Sequence, residues 1–496
     1  MELALQIFAF ILSISILVFL HELGHFIPAK IFGTRAEKFF LFFDPWFSLF
    51  SMKKVNGEWR YKFLSKNLPD TEIVEVNGEQ KEVPVNIDNL PEDDWRKHPE
   101  NTKWGIGWLP MGGYVKIAGM VDESMDTEQL KKPAQPWEFR SKPAWQRLII
   151  MLGGVTVNFF LAWFIYSMLS FSKGETYTDL RKFEGGLAAS PAAVKMGFKN
   201  GDKIIKIDGK ENNRLETASV NLLFSDNVTV LRDGKEITFP VNEDGVADVI
   251  KQREAKLYLT PRFPMVVDSL TSDASKKSGL LVGDKVIAVN SQNASYFDEI
   301  SPLFDQNKGK TVKLTVERNG AVQTLENVSV DKDGKIGISM NNLPVLEKLA
   351  TTEEYSFLQS IPRGLERTIE ALTMQIKQFK ILFSSKVQGY KSVGGPIAIV
   401  KMMPVQKDAD GGSSINWTAL WGFTAMFSVW LAFLNLIPIP GLDGGHVMFT
   451  LWEIVTGKPV PQKVLENAQM IGVIFLLGLM VLIFGNDIYK IITGKL

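Results

Sequence analysis

The sequence predicts a multi-span α-helical membrane protein that carries β-rich units outside the bilayer. Four stretches are long and apolar enough to cross roughly 30 Å of hydrocarbon: Leu3–Leu20, 148–171, 417–440 and 468–485. Between the second and third lies a long, mostly polar stretch in which Ile and Val alternate with charged residues. The mean hydropathy of +0.03 is what a mixture of greasy and soluble segments gives. At 496 residues the chain also exceeds what one hydrophobic core organises.

Composition narrows the chemistry. Lys plus Arg (55) balances Asp plus Glu (55), which argues against nucleic acid as a partner. There is no cysteine, so disulfides and thiolate-bound metals are excluded, and any metal must use His, Asp or Glu.

The elements follow in order. Residues 1–30 form the first transmembrane helix. A secretory signal peptide is the competing reading, but there is no basic leading region and no small-residue cleavage site. Residues 31–144 form a loop region; its part 44–104 is long and charged, and "GYVKIAG" (113–119) alternates as a strand does. The second helix spans 145–172. Two β-rich units, 173–258 and 259–345, follow, because "GFKNGDKIIKIDGK" (197–210) matches "GLLVGDKVIAVNSQ" (279–292) in its Gly-Asp-Lys turn and its alternation. The pair resembles a tandem of PDZ domains. In 346–410, Leu365, Ile369, Leu372, Ile376 and Phe379 recur at helical spacing, which suits a helix on the membrane surface or one packed on the β units. "VGGPIAIV" (393–400) marks a turn. The third helix (411–440), a loop with a connecting helix (441–466) and the fourth helix (467–496) complete the chain.

"HELGH", 21–25, ends the first apolar segment. Strongly polar residues cost about 2.5–3.5 kcal/mol each at the bilayer centre, so their presence needs a reason. His-x-x-x-His puts His21 and His25 one turn apart on one helix face, able to share a zinc ion, with Glu22 placed to take a proton from bound water. A third ligand is needed. His98 lies in the charged "PEDDWRKHPE" and reads as solvated surface. In "NLIPIPGLDGGH" (435–446), Pro438 and Pro440 break the helix and present Asp443, an acid with no basic neighbour in sequence. Asp443 is assigned as the third ligand, with His446 as competitor. Asn435 in the same turn suits a substrate backbone or freed helix carbonyls.

Together these residues resemble the site-2 protease family of intramembrane zinc metalloproteases. The resemblance rests on "HELGH", "GIGWLPMGGYVKIAG" (105–119), "GGVTVNF" (153–159), the tandem β units, "GGPIAI" (394–399) and "NLIPIPGLDGG" (435–445). It implies Zn2+ on His21, His25 and Asp443, Glu22 as catalytic base, and Asn435 as substrate contact. It also implies that 113–119 belongs to a β-hairpin dipping into the membrane, whose edge, around Tyr114 and Lys116, holds unwound substrate by β-addition. The long 44–104 segment departs from the family pattern. The substrates implied are single-span membrane proteins, such as anti-sigma factors and signal-peptide remnants, already shortened by a site-1-type protease.

Lys30, Arg35 and Lys38 follow the far end of the first span while none precedes it, so the N-terminus is expected outside. The motifs then face the cytoplasmic side of a bacterial inner membrane and the PDZ-like units the periplasm. Two other functions fit parts of the pattern: a membrane cation transporter using the same three ligands, and a catalytically silent PDZ adaptor.

Overall fold

The computed structural model describes residues 1–68, 71–76, 79–85, 87–110, 112–120, 133–251, 258–382, 394–408 and 410–493. The chain divides into two units: Met1–Ser172 with Tyr355–Gln375 and Val393–Leu496, and Lys173–Glu354 with Ile376–Ser392.

Among the described residues, four helices of the first unit are long and apolar enough to span a membrane: Glu2–Ile31, Ala144–Lys173, Trp417–Leu436 and Gln462–Ile492. The third is shorter than expected. It stops at Leu436 because the backbone turns extended at Ile437, ahead of Pro438 and Pro440. Spans one and two cross at glycines. A Cβ on Gly153 would stand 1.9 Å from the Gly24 carbonyl oxygen, so the two backbones touch. Polar contacts add to this: Ser13 and Thr424 share a hydrogen bond of 2.9 Å, and Ser428 donates to the Asn158 carbonyl at 2.7 Å. In the fourth span the buried Asp487 accepts from the amides of Gly395, Ile397 and Ala398, capping the short helix Pro396–Lys401 that follows the Gly-Gly turn.

A five-stranded sheet follows the first span: β1 (Ala36–Leu41), β2 (Phe47–Val55), β3 (Glu58–Lys66), β4 (Lys103–Ile106) and β5 (Tyr114–Ile117), in spatial order β3-β2-β4-β1-β5. Two expectations are corrected. Residues 44–104 are not merely a charged loop, since they build β2, β3, β4 and a separate ribbon, Thr71–Val76 with Glu79–Pro84. Nor does β5 pair with its sequence neighbour β4 as a hairpin. It lies antiparallel to β1 and ends the sheet. The helix expected around 365–383 begins earlier and runs Phe357–Leu382; Phe383 and Val393 lie outside the described residues. Its Leu372 packs with Tyr166, Ala425 and Val429 of spans two and three, whereas Ile369 and Ile376 stay exposed.

The second unit contains two four-stranded antiparallel sheets on one plan. The first orders Lys210–Glu211, Lys203–Ile207, Asn227–Arg232 and Lys235–Pro240; the second orders Gln292–Asn293, Lys285–Val289, Thr311–Arg318 and Ala321–Ser329. The Gly-Asp-Lys turns explain the matching sequence. Fully buried Asp202 accepts from the Lys199 amide and takes a two-pronged contact from Arg232, which also reaches the Gly197 carbonyl. Asp284 does the same with the Leu281 amide, Arg318 and the Gly279 carbonyl. Each sheet closes its own apolar core, around Phe198 and Val230 in one and Phe304 and Val316 in the other.

Candidate metal centre

His21 and His25 lie one turn apart, so both rings leave the same side of the first span. His25 Nδ1 donates to the Ile150 carbonyl at 2.8 Å, which leaves its Nε2 as a lone-pair donor. The two Nε2 atoms are 3.3 Å apart. Asp443 Oδ2 lies 3.3 Å from the first and 3.2 Å from the second. That oxygen is buried and has no hydrogen-bond partner. Three electron-rich atoms thus converge, all within 4.8 Å of one another. Without a cation this is a costly arrangement; with one it is an N2O donor set of the kind zinc takes.

Local sequence explains how each ligand arrives. The crossing at Gly24 and Gly153 leaves no room for side chains between the spans. At Gly154 a Cβ would stand 2.4 Å from His25 Nε2 and 2.6 Å from His21 Cε1, so glycine there is what the rings require. After the third span breaks, Gly441 turns with φ of +100°, and Asp443 opens the helix Asp443–Thr456. Gly444 allows close approach to the Ile437 carbonyl. The carboxylate is thereby returned to the two rings.

Two asparagines flank His21. Asn435 Nδ2 is 3.1 Å from its Nε2, so the residue expected to contact substrate stands at the ligand cluster itself. Asn158, wholly buried in span two, has Nδ2 3.0 Å from His21 Nδ1 while its Oδ1 has no partner. Sequence reasoning missed Asn158, Gly24 and Gly154. An amide in mid-span was the available signal for the first.

Glu22 points toward β5, where the Val115 backbone amide reaches its carboxylate. A Cβ on Gly113 would sit 2.6 Å from Val18 Cγ1, so this strand lies directly on the first span. The side chains of Tyr114 and Lys116 are engaged within the sheet. Tyr114 donates to Asp44 at 2.8 Å and stacks on Phe40 and Phe43, and Lys116 pairs with Glu37 at 3.6 Å. His98 is apart from the cluster, bonded to the Glu92 carbonyl and near Glu100. His446 is one turn past Asp443 and lines a separate cleft with Arg147 and Glu453.

Four apolar helices and a His-His-Asp cluster beside a glutamate define a metalloprotease of the site-2 type, working within the membrane. The chain belongs to peptidase family M50, whose pattern matches residues 9–79 and 91–479. It is 25% identical to the regulator of sigma E protease of Haemophilus influenzae, over 97% of this chain and 98% of that protein. It is likewise 25% identical to the regulator of sigma-E protease RseP of Escherichia coli K12, over the same shares.

Proposed function

We propose that this protein is a zinc-dependent endopeptidase that cuts single-span membrane proteins inside the bilayer, with the ion held by His21 Nε2, His25 Nε2 and Asp443. The observation that carries this reading is the buried, partnerless Asp443 oxygen aimed at two imidazole nitrogens. Bound zinc supplies a water of pKa about 7 and polarises a carbonyl. Glu22, beside the first ligand, takes the proton that the attacking water gives up and returns it to the leaving amide nitrogen. Asn435 donates its amide to the substrate carbonyl. The edge of β5 opposite β1, where the Val115 amide reaches Glu22, receives the unwound substrate as an added strand, through its backbone rather than the committed side chains of Tyr114 and Lys116.

The two matched β units are PDZ domains that screen out bulky substrates. They stand in the periplasm, with the active site toward the cytoplasmic side of a bacterial inner membrane. The relatives' names, regulators of sigma E, support substrates of the anti-sigma-factor type; signal-peptide remnants, and delivery after a first cut by another protease, are part of the same proposal.

The test uses the full chain in liposomes with a shortened single-span substrate. Glu22→Gln lowers cleavage by about 10²–10⁴-fold while zinc content stays at one ion. Asp443→Ala loses both cleavage and zinc. Normal cutting by Glu22→Gln overturns the mechanism. Ion flux that survives Glu22→Gln in a chain that never cleaves points to the transporter reading instead.

A further inference from the structure

The cleft beside His446 lies where spans two and four both begin, and it has a volume of about 300 Å3. Its cations are Arg140, Lys142 and Arg147, against one lining acid, Glu453. Phe139, Phe449 and Leu465 give it apolar walls. Gln469 lines it from further along span four, seven residues or about 10 Å beyond Gln462 at the helix start. Three donors in this cleft are not used up by the protein. Lys142 Nζ reaches the Gly33 carbonyl at 3.3 Å and has no acidic partner among the described residues. Arg147 gives Nε to the Lys142 carbonyl at 3.1 Å and Nη2 to Glu453 at 2.5 Å, and its Nη1 is unengaged among the described residues. Gln469 is only 4% exposed, yet its side-chain amide makes no hydrogen bond among the described residues. A mere packing void would be lined by apolar groups, whereas a buried amide without a partner calls for one.

Charge and depth select the occupant. Glu138 holds Arg140 and Glu453 holds Arg147, so the Lys142 charge is the one left uncompensated. A phosphodiester carries one negative charge and accepts from both ammonium and guanidinium groups. A free phosphate would leave the amide and the apolar walls unused. A phospholipid uses them all, because its ester carbonyls and first acyl carbons lie deeper in the membrane than its phosphate. We propose that this cleft binds an anionic phospholipid, with the phosphate on Lys142 Nζ and Arg147 Nη1 and an ester carbonyl accepting from the Gln469 amide. Basic pockets between the ends of membrane helices are suited to such headgroups. Phe449 and Glu453 belong to the helix that Asp443 opens, so a seated lipid touches the element that presents the third ligand. Binding itself needs neither zinc nor cleavage.

The test is lipid retention by the full chain in detergent, read by native mass spectrometry as phosphatidylglycerol or zwitterionic phosphatidylcholine is titrated in. One phosphatidylglycerol is expected to stay bound about tenfold more tightly than phosphatidylcholine. Lys142→Gln should abolish that preference and Lys142→Arg should keep it. Gln469→Leu, which fits the apolar walls, should weaken both lipids about threefold and leave the preference intact, since both carry ester carbonyls. Lys463→Gln, at an exposed cation in the first turn of span four outside the cleft, should change nothing. Retention that is unaltered in Lys142→Gln and Gln469→Leu overturns the proposal. So does an equal loss in Lys463→Gln, because attraction to the general surface then accounts for it. Glycerol 3-phosphate that displaces the lipid mole for mole overturns the lipid as carrier of the phosphate.

Discussion

Asn158 illustrates what one side chain does at this centre. If His21 binds the ion through Nε2, its Nδ1 carries a proton and needs an acceptor. The amide of Asn158 lies 3.0 Å away, and its oxygen is the buried atom with no partner. Turning that amide over satisfies both groups, a rotation ordinary for an Asn placed by its hydrogen bonds. Asn158→Ala is expected to weaken zinc binding by about 10–100-fold in a competition against a chelator, with the spans still formed. Gly154→Ala should do worse, since its new methyl would occupy the space of the imidazoles; metal analysis of the purified protein reads this directly. The two histidines, the glutamate and the aspartate were legible because their spacing carries chemistry. Asn158 was not, because an amide inside a greasy segment reads as an isolated exception until its neighbour across the helix pair is known.

At the level of elements, the buried acid–arginine forks decide how firmly each β sheet holds its first turn. Burial works against ionising Asp284, but the hydrogen bonds it accepts from Arg318 and from the Leu281 amide outweigh it, so the carboxyl is held below the usual aspartate range. A group whose folded value is depressed stabilises the fold above its unfolded value, near 3.9, and the gain fades as pH falls through the folded one. Lowering pH from 7 to 5 should therefore leave amide exchange in Lys285–Val289 unchanged apart from the intrinsic chemistry, with loosening only below about pH 4. Asp284→Ala removes the acceptor of the Leu281 amide and of the Arg318 guanidinium, and should speed exchange in Lys285–Val289 and not in Lys203–Ile207. The matched turns were plain in the sequence. The strand β3 was not, since alternating aromatic and basic residues look like a charged loop when burial lies on neither side. The end of the third helix was misread by a few residues for a simpler reason: hydropathy continues through Ile439, but hydrogen bonding stops before the prolines.

Over the whole molecule, the membrane part should outlast its metal. The spans are joined by apolar packing, the Gly24–Gly153 contact and hydrogen bonds such as Ser13 to Thr424, none of which involves the cluster. Stripping zinc with a chelator is expected to abolish cleavage while far-ultraviolet circular dichroism stays at its helical value. The thermal midpoint should fall nonetheless, since ligand at 1,000 times its dissociation constant contributes about 4.1 kcal/mol. The four helices and the family were readable from end to end because length, hydropathy and motif order all survive in a single sequence. The partnering of β5 with β1 was hidden, as pairing over seventy residues leaves no local trace. The bare-backbone crossing of the first two helices carries one more implication. A saturation screen for cleavage would mark positions 24, 153 and 154 as harshly as the residues that touch the bond being broken. Intolerance to change in this enzyme is therefore a map of clearance as much as of chemistry, and a sensitivity score alone would crown three residues with no reactive atom.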